Sequence, residues 1–151
     1  MKKLPTLASL FVAFILPLSA FAFEAEQQKK NQCPIEFKKV GQCASIEWRV
    51  APKIDAYAEA TLKFWSKKNG SPTGPFENPD CKQLAVSLWM PSMGHGSSPI
   101  HLTIRETGII DATKIYFSMA GLWDLKILLK NGNQVIDQAA VPLSLTEKHE
   151  N

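Results

Sequence analysis

The stretch Trp123-Asp124-Leu125-Lys126-Ile127-Leu128-Leu129-Lys130-Asn131-Gly132 decides the fold class. Large apolar side chains fall at Trp123, Leu125, Ile127 and Leu129, the two-residue period of a strand that buries one face. Asn131-Gly132 then supplies a dipeptide that accepts the positive φ angles of a tight hairpin turn. The chain returns from Val135 to Leu143 as the partner strand. Pro142 has no N–H to give to a ladder, which suits an edge position.

The same period continues toward the N-terminus. Ile115, Phe117 and Met119 line a strand that Ala120-Gly121 turns. Ile100, Leu102 and Ile104 line another, with His101, Thr103 and Arg105 on its opposite face and Gly108 turning the chain after it. Leu84, Val86, Leu88 and Met90 form an inward face that Pro91 ends. Ala58, Ala60, Leu62 and Phe64 do the same, and so do Ile46, Trp48 and Val50 ahead of Pro52. Trp65 and Trp89 fall on outward faces. Residues 66–80 are rich in Lys, Gly, Pro, Ser and Asn and read as a long loop. Seven strands in about 100 residues, with turns at regular intervals and no amphipathic helix, predict an all-β, seven-stranded immunoglobulin-like β-sandwich over residues 44–145.

The first residues predict a cleaved signal peptide over 1–22. Lys2 and Lys3 precede an uncharged run from Leu4 to Leu18, and Ala20-Phe21-Ala22 has the small-x-small pattern of a cleavage site. A membrane anchor is the alternative, since the uncharged stretch from Leu4 to Phe23 just reaches the roughly 20 residues that span a bilayer. Pro5 and Pro17 interrupt it, however, and the cleavage site is well formed. The expected product is a periplasmic or secreted protein with no stable membrane insertion. Residues 23–43 are expected to form an N-terminal arm and 146–151 a polar tail. Two of the 17 Lys and Arg lie in the signal, leaving 15 against 14 acidic residues. So balanced a charge, with no basic stripe, gives no footprint for nucleic acid.

Cys33, Cys43 and Cys81 allow one disulfide and one thiol, as befits an oxidising compartment. Their spacing contains no close pair of the kind that holds zinc. Cys33–Cys43, a local bridge across 34–42, is the expected pairing. Cys43–Cys81, both placed at the pole away from residues 91–99, is the alternative.

The chemistry concentrates in Leu88-Trp89-Met90-Pro91-Ser92-Met93-Gly94-His95-Gly96-Ser97-Ser98-Pro99. Thioether sulfur is a soft ligand suited to Cu(I), and imidazole accepts copper in either oxidation state. Gly94 and Gly96 let the backbone approach a ligand or partner closely. Antiparallel strands would bring the end of the fifth strand to the same pole. Met90, Met93, His95 and Met119 could then converge as three sulfurs and one nitrogen. Against this, Met90 and Met119 lie on inward faces, where methionine commonly fills core, and Met93 and His95 also fit a plain tight turn. His101 is a weaker candidate donor. Asp124, on an outward face, could orient His95. No G-x-S-x-G elbow, H-E-x-x-H helix, P-loop or dinucleotide fingerprint is present, so an enzyme is not expected.

Met90-Pro91-Ser92-Met93-Gly94-His95-Gly96, followed by Phe117-Ser118-Met119-Ala120-Gly121-Leu122-Trp123, resembles the two signature segments of YtkA-like and FixH-like domains. The resemblance covers about residues 44–143. It implies an immunoglobulin-like sandwich outside the cytoplasmic membrane, a role in copper handling, and an envelope or oxidase-assembly protein as partner. Membrane-anchored FixH-like members differ from this chain, whose signal reads as cleavable. Two further readings stand beside copper. In one, Trp89, Gly94, Gly96 and Ser97 form a docking surface for an envelope partner. In the other, the motif is a rigid structural corner.

Overall fold

The computed structural model describes residues 32–146. The expected signal peptide, the first part of the arm and most of the tail lie outside the described residues. Among those described, nine strands follow in chain order: β1 (Ile35–Phe37), β2 (Gln42–Val50), β3 (Tyr57–Ser66), β4 (Gln83–Met90), β5 (His95–Gly96), β6 (His101–Glu106), β7 (Ile109–Tyr116), β8 (Gly121–Asn131) and β9 (Gln134–Leu145). They form two antiparallel sheets, β1-β2-β3-β7-β6 and β5-β4-β8-β9. Removing β1 and β5 leaves β2-β3-β7-β6 against β4-β8-β9, the ABED and CFG strand orders of an immunoglobulin sandwich. Each of the seven expected strands overlaps one of these nine, the fifth only at Ile115 and Tyr116, the end of β7. The two added ones are three and two residues long, too short for alternation to reveal.

One core joins the sheets. Trp123, Leu125, Ile127 and Leu129 of β8 and Val86, Leu88 and Met90 of β4 pack toward Ala58, Ala60, Leu62 and Phe64 of β3. The β8–β9 hairpin turns one residue later than Asn131-Gly132 suggests: Asn131 still pairs with Gln134, and Gly132 and Asn133 form the turn, with Gly132 at φ +63. Pro142 sits on β9, an edge strand, as its missing N–H requires.

Four local readings are corrected. Residues 35–43, assigned to an arm, carry β1 and the start of β2, so the ordered sheet begins before residue 44. Trp65 is not exposed but 1 % accessible, because the following loop folds back over it: a Cβ on Gly70 would lie 2.7 Å from Trp65 Cβ. Ile104 is 71 % exposed rather than inward. It lies on an edge strand, and the ladder register shifts between Ile104 and Glu106. Ile104 instead lines an open groove with Cys81, Leu84, Leu102 and Ile110. Val50 is exposed too, past a register shift after Trp48.

The strand ending near Met119 also departs from simple alternation. Ala60 pairs with Ala112, yet Ala58 pairs with Ile115, and Lys114 has φ +58. This bulge inserts a residue, so Ala112, Ile115 and Phe117 are all buried. Phe117 leaves the ladder to bridge Ile54, and Met119 falls beyond the strand, in the turn to β8.

Cys33 and Cys43 form the disulfide, with Cα atoms 5.2 Å apart, and Cys81 is free. Burial pushes the Cys81 thiol above its ordinary pKa, against hydrogen bonds with the Lys130 and Gln83 backbone. The bridge ties the start of β1 to β2. Asp137 of β9 reinforces that corner, its buried carboxylate accepting from Lys39 N at 2.6 Å, Val40 N at 3.2 Å and Gln138 N at 2.8 Å.

Candidate functional site

The antiparallel path places the ends of β4 and β9 and the start of β8 at one pole. Met90 is the last residue of β4, and it pairs directly with His95, the first of β5. The turn between them closes on one acceptor: the Met90 carbonyl receives Met93 N at 3.2 Å and Gly94 N at 3.0 Å. Gly94 has φ +65, a left-handed conformation that a side chain would strain. Gly96 serves differently. A Cβ there would lie 2.9 Å from the Leu88 carbonyl oxygen, so the residue is glycine because the backbones meet. Ser97 Oγ donates to the Tyr116 carbonyl and thereby ties the far end of the loop to the other sheet.

His95 is half-buried. Its Nδ1 lies 2.9 Å from the Gly96 carbonyl, which can only accept, so that nitrogen carries the proton in this bond. In the neutral ring Nε2 is then left with a lone pair. Asp124, considered as an orienting acid, stands opposite Trp89 in the β4–β8 ladder; the Gly96 carbonyl takes the hydrogen bond instead.

The four sulfur and nitrogen candidates differ in access. Met90 is 1 % exposed and belongs to the core, while Met93 is 60 % exposed on the turn. Met119 is half-buried and packs against the core edge. A Cβ on Gly121 would lie 3.0 Å from Met90 Cε, so the Met90 methyl reaches under the start of β8, two residues from Met119. His95 and Trp123 rings meet T-shaped, with centroids 6.0 Å apart, and Trp123 Nε1–H donates to the Met119 carbonyl at 3.1 Å. Met90, His95 and the Met119 backbone are thus brought to one small region, and Met93 is exposed on the turn beside it. His101 lies exposed on β6 instead.

Among the described residues, no three His, Cys, Asp or Glu side chains come together to hold a metal. The expected donors at this pole are three thioethers and one imidazole, a soft combination.

Of the residues expected to form a docking surface, Trp89 is half-buried beneath Lys126, whose Nζ lies 4.7 Å from the ring centroid. Gly94 and Gly96 shape the turn, and the Ser97 hydroxyl is spent on Tyr116. Sequence reasoning missed Leu122, which is 66 % exposed on the face that carries Trp89 and Asp124. Its outward position between inward Gly121 and Trp123 was the available signal. It also missed Tyr57 and Tyr116, whose rings lie 5.4 Å apart at the same end of the sandwich. Tyr116 Oη–H donates to Asp55 Oδ1 at 3.0 Å, and that bond with the nearby carboxylate raises the Tyr116 pKa.

Comparison with family models, curated proteins and solved structures returns no match for this chain.

Proposed function

We propose that this chain is an exported copper-binding or copper-delivering protein that holds Cu(I) through Met90, Met93, His95 and Met119. The observation that carries the reading is the state of His95: its Nδ1 is committed to the Gly96 carbonyl, its Nε2 keeps a lone pair, and Met90 stands directly across the ladder. Metal-binding histidines are commonly fixed in this way, with one ring nitrogen bonded to a carbonyl and the other given to the metal. Cu(I) prefers thioether sulfur and tolerates an imidazole beside it. Met90 supplies an inner sulfur, Met93 an outer one through which an ion can enter or leave. The resemblance to YtkA-like and FixH-like segments supports the same reading and suggests an oxidase-assembly or other envelope protein as the receiver. The role is binding and delivery, with no reaction catalysed.

Anaerobic titration with Cu(I) tests this. One equivalent is expected to bind tightly to residues 23–151, and Met93→Leu combined with His95→Gln to abolish it. No tight binding to the unaltered protein would sink the reading.

A second function is favoured by one observation, the exposure of Leu122 beside Trp89. An envelope protein could dock on this apolar face without any metal. Loss of a pull-down on Leu122→Lys with unchanged metal content would support docking.

A further inference from the structure

Trp123 touches both halves of the Met/His pole. Its indole N–H donates to the Met119 carbonyl at 3.1 Å, and its ring meets the His95 imidazole at 6.0 Å with the planes inclined by 74°. The indole itself has little freedom. It is buried, Phe117 packs on it T-shaped at 5.8 Å, and its backbone is held by Leu143 across the β8–β9 ladder. A buried indole N–H needs an acceptor, so the bond to Met119 is part of the fold's hydrogen-bond accounting. His95 and Met119 belong to different segments, one on β5 and one in the turn after β7. A single rigid ring contacts both.

We infer that Trp123 is the positioning residue of this site, fixing His95 through its ring and Met119 through its N–H so that both present to Cu(I). The inference rests on the copper reading above. Trp123 supplies no donor atom to the metal. Its effect is on the geometry of two donors that otherwise sit on short, irregular segments.

Two variants separate its two contacts. Trp123→Phe keeps an aromatic ring and removes the N–H; Trp123→Leu removes both. In the metal-free protein, Trp123→Phe should move the Met119 carbonyl ¹³C resonance while His95 keeps its ring-current shift, and Trp123→Leu should lose both signatures. With Cu(I), competition against a chromophoric chelator should show weakening of about 10–100-fold, the usual effect of removing a group that orients a ligand. X-ray absorption of the loaded Trp123→Phe protein should show one sulfur neighbour fewer and the nitrogen retained. If Trp123→Leu does not fold, Trp123→Phe carries the test by itself.

An unmoved Met119 carbonyl resonance in Trp123→Phe would overturn the inference, as would unchanged affinity and unchanged copper neighbours in that variant. In both cases a wild-type protein that binds Cu(I) leaves the copper reading standing. A wild-type protein that binds none removes both together, so the two failures are told apart.

Discussion

Met90 and His95 face each other as the final pair of the β4–β5 ladder, one sealed in the core and the other at the surface. The strand register therefore sets a buried thioether against an accessible imidazole across a four-residue turn. That turn is held by its own backbone, and Gly94 within it and Gly96 on β5 do different work.

Gly94→Ala and Gly96→Ala should both destabilise the protein, for separate reasons. At Gly94 the cost is the left-handed φ, about 1–2 kcal/mol. At Gly96 it is contact with the Leu88 carbonyl oxygen, 2.9 Å from the added carbon, which must part β4 from β5. Urea denaturation should show both losses. Only Gly96→Ala should also shift the amide resonances of Leu88 and Trp89.

Asp137 anchors the β1–β2 turn to β9 through the Lys39 and Val40 amides and accepts a third bond from its neighbour Gln138 on β9. Asp137→Ala leaves those donors without their acceptor, which should cost about 1–3 kcal/mol in a denaturant titration. Asp137→Asn retains one carbonyl oxygen and should fall between. Equal stability of all three proteins would show that water replaces the carboxylate without loss.

Asp111 makes stability depend on pH. Burial alone would raise its pKa, but hydrogen bonds from Arg105 and Thr61 and the charges of Arg49 and Arg105 outweigh it and hold the carboxyl below its ordinary value. A depressed folded-state pKa adds stability above the unfolded value, near 3.9, and that stability is lost as pH falls through the folded one. Asp111→Asn should thus be less stable than wild type at neutral pH. The gap should close as the pH drops below about 4. A gap that is constant down to acid would contradict this.

The Cys33–Cys43 bridge closes a loop of ten residues in sequence separation. Its replacement by Cys33→Ser should cost about 2–4 kcal/mol. Thiol titration of the unfolded, unreduced protein should return one thiol, from Cys81. In the folded protein, burial and the raised pKa should make that thiol slow to alkylate at neutral pH.

Where alternation governs, the strands were legible in the sequence. Leu84, Val86, Leu88 and Met90 share one face, as do Trp123, Leu125, Ile127 and Leu129, and Gly132 turns β8 into β9 one residue after the Asn131-Gly132 pair suggests. Alternation fails where tertiary contact decides. Trp65 looks outward by period yet is covered by a loop from its own chain, and Ile104 looks inward yet lines an open groove on an edge strand. Lys114 breaks the period with a bulge that no local residue announces. The Met/His segment stood out by composition and by resemblance. The contacts of His95 with Gly96 and Trp123, and of Trp123 with Met119, follow from how segments meet and leave no mark in the local pattern.

The hydrogen bond from Ser97 to Tyr116 crosses from one sheet to the other, and the near end of the same turn is closed on the Met90 carbonyl. A segment fastened at both ends is a poor lid. Its backbone can swing aside only by breaking these bonds, a rearrangement of microseconds or longer, whereas an exposed side chain changes rotamer within nanoseconds. Of the four proposed donors, only Met93 is this exposed. On the proposed copper reading, exchange of an ion at this pole would be timed by one rotating thioether on a stationary frame, and a receiving protein would have to meet the ion at Met93.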